Sequence, residues 1–92
     1  HSIVRGARIL LVEDNTTNRR ALQEMLEGWE MHVTSVPDAL SALSLLSEMP
    51  PEAAPFAAGL IDANMPGTDG FSLASVIKSR LSGRVRNLVM LL

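Results

Sequence analysis

Four short apolar runs alternate with longer segments of helical periodicity, and that alternation leaves few folds open to the chain. The runs are "RILLVE" (8–13), "MHVTSV" (31–36), "FAAGLID" (56–62) and "NLVMLL" (87–92). Each is too short for a helix. The first is apolar on both faces, the pattern of a central strand covered on two sides. "NTTNRRALQEMLEGW" follows it, with Ala21, Leu22, Met25 and Leu26 at helical spacing, Asn15 or Thr16 as cap and Gly28 as stop. Pro37-Asp38 opens a second helix whose apolar face is Leu40, Leu43, Leu45 and Leu46. "EMPPEAAP" is a loop. Asp69 caps a third helix through "FSLASVIKSRL", which Gly83 ends. Strands separated by such helices pair in parallel through right-handed crossovers. The expected fold is an α/β, flavodoxin-like, three-layer parallel sheet of order 2-1-3-4, spanning residues 1–92 as one domain.

The first run ends on Glu13-Asp14 and the third on Asp62. In an open parallel sheet, ligands bind at the carboxyl ends of the strands, where neighbouring strands send their helices to opposite faces. The order 2-1-3-4 makes strands one and three neighbours, so three carboxylates meet there. Each ionised carboxylate disfavours the others' charge unless something positive lies between them. A hard divalent cation with oxygen ligands relieves this, and Mg²⁺ is the natural choice.

Composition narrows the classes. Apolar residues make up 47% of the chain, but two Phe and one Trp are its whole aromatic content, so the core is aliphatic. Eight basic residues against ten acidic ones, with no basic block, argue against a nucleic-acid partner. The absence of cysteine excludes disulfides and thiolate metal sites and fits a reducing compartment. No stretch has the length of a membrane span, so a cytoplasmic location is expected.

Laid out this way, the chain resembles a receiver domain of the two-component response-regulator family, in the style of receivers attached to hybrid histidine kinases. "RILLVEDNTTNRRAL" is similar to that family's first strand, acidic pair and first helix. "PFAAGLIDANMPGTDGF" is similar to its third strand, phosphoacceptor and following turn, with Pro66 and Gly70 four and eight positions past Asp62. The resemblance implies Asp62 as phosphoacceptor, Asp14 as direct Mg²⁺ ligand, Glu13 as ligand through water, and the Asn64 backbone carbonyl as a further ligand. It implies Pro66 as the residue that sets the turn, and Gly70 as the one that lets the chain enter the third helix closely. It also implies a histidine kinase or histidine phosphotransfer domain as partner, and a fold that stops before the family's last strand and two helices. A fourth strand left open in this way would be covered by further chain or by a second copy.

The pattern also departs from the family. The family's Ser or Thr at the end of strand four falls on Leu92 when counted without gaps, or on residue 93 if the strand is one longer. The family's Lys lies beyond the chain; Lys78 falls within the third helix and does not correspond to it. Glu30 and Ala39 stand where glycine is common. Two other functions compete: a receiver-like docking module without phosphotransfer, and a Mg²⁺-dependent phosphohydrolase, which wants a second Asp where "DAN" offers Asn64. Elsewhere the plain readings are the expectation: Asn15 and Asn18 as caps, Trp29 as packing, and Lys78, Arg80, Arg84 and Arg86 as a solvated face, with Met65 open equally to packing and to function.

Overall fold

A computed structural model describes residues 5–67 and 69–92; residues 1–4 of the expected 1–92 domain, and Thr68, lie outside the described residues. Strands β1 (Arg8–Val12), β2 (His32–Val36), β3 (Ala58–Asp62) and β4 (Leu88–Leu91) alternate with helices α1 (Thr16–Gly28), α2 (Ala39–Glu48) and α3 (Gly70–Arg80). All pairings are parallel and the order is β2-β1-β3-β4, the fold expected from the sequence. Leu10, Leu11 and Val12 are wholly buried, because β1 has a strand on each side and helices on both faces. Among the described residues, no helix is long and apolar enough to cross a membrane.

The caps follow short-range chemistry. Asn15, Asp38 and Asp69 each accept a backbone N–H three residues on, satisfying a donor that the first helical turn leaves orphaned. The Ser41 backbone N–H, joined by the Ser41 side chain, draws the Asp38 carboxyl below its usual pKa.

The two faces of the sheet are unequally covered. Leu10, Val12, Val36 and Ile61 pack with Ala39, Ala42 and Leu46 of α2 and Leu73 and Ile77 of α3 into one cluster, closed at its base by Phe56 and Val85. The opposite face carries α1, from which only Leu26 is buried. Two expectations change as a result. Trp29 is 58% exposed instead of packed, because it projects past the last turn of a helix with no helical neighbour. Leu40 is 75% exposed, because the inward stripe of α2 runs through Ala39, Ala42 and Leu46, and the next residue along from Ala39 is turned about 100° away. The third helix stops at Arg80, and Gly83 lies in a short 3₁₀ turn (Ser82–Arg84) beyond it. Arg84 is not purely solvated: its Nε donates to the Leu46 carbonyl at 3.2 Å, tying that turn to α2.

Two backbone positions have consequences for stability. Glu30 adopts φ 65°, a left-handed conformation in which a Cβ crowds the following carbonyl. Its carbonyl accepts the Gly6 N–H at 2.7 Å, and the turn it makes feeds the chain into β2. Gly70, the first residue of α3, lies against the end of β3. A Cβ there would overlap the Asp62 carbonyl oxygen and lie 2.9 Å from both the Asp62 carbonyl carbon and Ile61 Cγ2. Those atoms belong to the packed backbone and core and cannot yield freely.

Urea unfolding of variants tests both positions. Glu30→Gly should stabilise the fold by about 0.5–1 kcal/mol, since only an exposed Arg5–Glu30 ion pair is lost in exchange for relief of strain. Gly70→Ala should destabilise it by about 1–3 kcal/mol, because α3 must move away from β3.

Candidate functional site

The pairing of β1 with β3 puts Val12 opposite Ile61, so the residues that follow both strands emerge at one edge of the sheet. Glu13 continues β1, its N–H donating to the Val36 carbonyl at 3.2 Å. Asp14 begins the turn into α1. Asp62 closes β3 opposite Leu91 of β4. Carboxylate oxygens of Glu13, Asp14 and Asp62 lie within 4.8 Å of one another. Glu13 is buried, Asp62 half-buried and Asp14 exposed, so the group opens to solvent on Asp14's side.

Backbone donors hold two of the three. The Asn15 N–H donates to Glu13 Oε2 at 3.1 Å, and the Asn64 N–H donates to Asp62 Oδ1 at 2.9 Å. The electrostatic outcomes are opposite. Burial pushes the Glu13 carboxyl above the ordinary carboxylate value, and the nearby Asp62 and Asp14 add to this against the opposing Asn15 bond. The Asn64 N–H draws Asp62 below the ordinary value, helped by bonding from Glu13 and Asp14. A proton entering the group therefore goes to Glu13 and leaves Asp62 as carboxylate. Among the described residues the ion pair is Arg5–Glu30, where Arg5 precedes β1 and so lies at the other end of the strand from this edge, and the three acids have no cationic side chain paired with them. Three carboxylates and no soft ligand suit a hard cation that keeps part of its water shell.

The neighbouring residues form the walls. Asn64 and Pro66 are exposed in the turn after β3, Met65 between them is buried in the core cluster, and Gly67 takes φ 80° to turn the chain towards α3. Met65 thus anchors by packing a loop whose polar members face out. Pro37, Asp38, Leu40, Met65 and Pro66 line an open cleft of about 330 Å³ that reaches Asp14. Leu92 follows Leu91 and is 93% exposed. Arg19 is a participant without a sequence signal, since an arginine in the opening turns of a helix reads as a solvated cation. Its Nη1 donates to the Glu13 carbonyl at 2.8 Å.

The sequence and fold have known counterparts. The response regulator receiver domain model matches residues 9–90. The sensor protein TorS of Escherichia coli is 39% identical over 69 residues, 75% of this chain and 7% of that protein. The two-component response regulator ARR18 of Arabidopsis thaliana is 38% identical over 71 residues, 77% of this chain and 11% of that protein. The chain therefore spans a small part of the length of these curated relatives. Among solved structures, the receiver domain of the sensor histidine kinase PA1611 from Pseudomonas aeruginosa, with a magnesium ion coordinated in its active-site cleft, superposes with a TM-score of 0.80 at 31% identity, over 95% of this chain and 67% of that one. A sensor protein from Polaromonas gives a TM-score of 0.75 at 30% identity, over 91% and 65% respectively. With its fold, its acidic edge and its sequence in agreement, this chain belongs to the response regulator receiver domain family of two-component signalling.

Proposed function

We propose that the chain accepts a phosphoryl group on Asp62 from a phosphohistidine of a histidine kinase or phosphotransfer domain. The single observation that carries this reading is the gathering of Glu13, Asp14 and Asp62 at one sheet edge, with the Asn64 N–H drawing the Asp62 carboxyl below the ordinary value while Glu13 is pushed above it. Asp62 is the nucleophile: a carboxylate oxygen forms the new bond to phosphorus as the bond to the imidazole nitrogen breaks. The electron pair of that bond stays on the imidazole, which then takes up a proton. The Asn64 N–H already occupies Oδ1, which leaves Oδ2 to attack.

Asp14 and Asp62 would hold Mg²⁺ directly, Glu13 through water, and the Asn64 carbonyl would complete the protein's share. The bound ion supplies charge neutralisation at the transferring phosphoryl oxygens, which is most of what phosphoryl transfer asks of a protein. Glu13 and Asp14 set the negative field that draws the cation in. Water then hydrolyses the aspartyl-phosphate and resets the domain. Leu92, an apolar residue where an ungapped count from Asp62 places the family's hydroxyl, supports a second reading as a docking module without phosphotransfer.

Intact-mass spectrometry after incubation with Mg²⁺ and a small-molecule phosphodonor separates the two. One added phosphoryl group on the wild type and none on Asp62→Asn is the expected result; no addition to the wild type would favour the docking module. A second measurement tests the electrostatics. A carboxyl whose folded pKa is raised contributes stability below its ordinary pKa, and that contribution is lost as the pH rises through the raised value. Glu13→Gln should therefore raise the thermal midpoint at neutral pH in chelator, with the gain vanishing below the ordinary carboxylate range. An equal gain at both pH values would show that packing and not charge is responsible.

A further inference from the structure

We infer that Arg19 is a positioning residue for the cation site: it braces the peptide units that carry Glu13 and Asp14, so that both carboxylates stay within reach of Asp62. This rests on the reading of those three acids as a cation site. The Arg19 guanidinium reaches back from α1 across the turn, with Nη1 2.8 Å from the Glu13 carbonyl oxygen and 3.5 Å from that of Asp14. The backbone of Arg19 is fixed at the same corner, because its N–H donates to the Asn15 carbonyl at 2.8 Å. Asn15 in turn donates its N–H to Glu13 Oε2 and caps the helix through its side chain. Residues 13–15 are thus clasped at two points by one arginine.

The choice of acceptor is informative. A cation placed beside three acids would ordinarily pair with a carboxylate, and such a pairing would compete with a metal ion. Arg19 makes no ion pair among the described residues and addresses backbone carbonyls instead. Its charge strengthens those bonds while the carboxylate oxygens stay available. The Glu13 N–H makes the last bond from β1 to β2, so the Glu13 and Asp14 carbonyls lie past the regular strand and need another fastening. Residues that orient ligands through one intervening group typically change metal affinity by about tenfold or more when removed.

The test uses the full chain, with Mg²⁺ as the probe. Arg19→Met keeps the aliphatic stem and removes the donors, and Arg19→Lys keeps the charge and a donor. Calorimetric titration should show Mg²⁺ affinity about tenfold weaker in Arg19→Met, with most of it recovered in Arg19→Lys. Amide hydrogen exchange in chelator should quicken at Glu13 and Asn15 in Arg19→Met and stay unchanged at Leu10, Leu11 and Val12. Unchanged affinity in Arg19→Met would overturn the proposal. So would exchange that quickens across the whole sheet, which would mark Arg19 as merely structural. A wild type that binds no Mg²⁺ would overturn the cation-site reading itself, and this inference with it, without reference to any variant.

Discussion

The pairing of β1 with β3 is the constraint on which the rest depends. It helps to bury Ile9 to Val12, and it brings two chain segments some fifty residues apart to a common edge, where both end on acids. Had β1 and β3 been separated by a strand, neighbouring strands about 4.8 Å apart would place the acids too far apart to share one ion. Right-handed crossovers then put α1 on one face and α2 and α3 on the other, which opens the crevice between the β1 and β3 ends. The chemistry of the edge is thus a consequence of the order of the sheet.

Much of this was legible in the sequence because it depends on short-range rules. Apolar runs of strand length, caps at Asn15, Asp38 and Asp69, and acids at strand ends are all local features. Gly70 as a point of close approach came from the family resemblance and not from a local rule, and the overlap a Cβ would meet with the Asp62 carbonyl gives the physical reason. The alternation gave parallel pairing, the order 2-1-3-4 came from likeness to flavodoxin-like topology, and the register could not be read.

What was not legible depends on partners distant in the chain. Leu40 is as apolar as the inward residues Ala39, Ala42 and Leu46 of α2, and only the packing against the sheet and α3 decides which stripe turns inward. Trp29 looks like core to any apolar count, yet its face of the sheet has a single described helix and leaves it half in water. Arg84 and Arg19 are both surface cations in sequence, and both spend a guanidinium donor on a carbonyl that no local pattern reveals. Long, flexible side chains find acceptors through tertiary geometry, so their roles are the last to be readable.

The edge is built against its own repulsion. Glu13 is kept buried although burial disfavours its charge, while Asp62 is kept ionised by a backbone donor. Left to itself, the group would relax by taking a proton at Glu13 or by letting the Glu13–Asp14 corner swing into solvent. The clasp at that corner, the Asn64 bond and the packing of Met65 oppose the second route. A ligand that binds the folded state alone stabilises it by mass action, and a cation here would also remove a repulsion that the unfolded chain does not feel. Folding and cation binding at this edge would therefore be coupled through the same three carboxylates, and the backbone restraints that hold the acids together would give an ion a preformed place to bind.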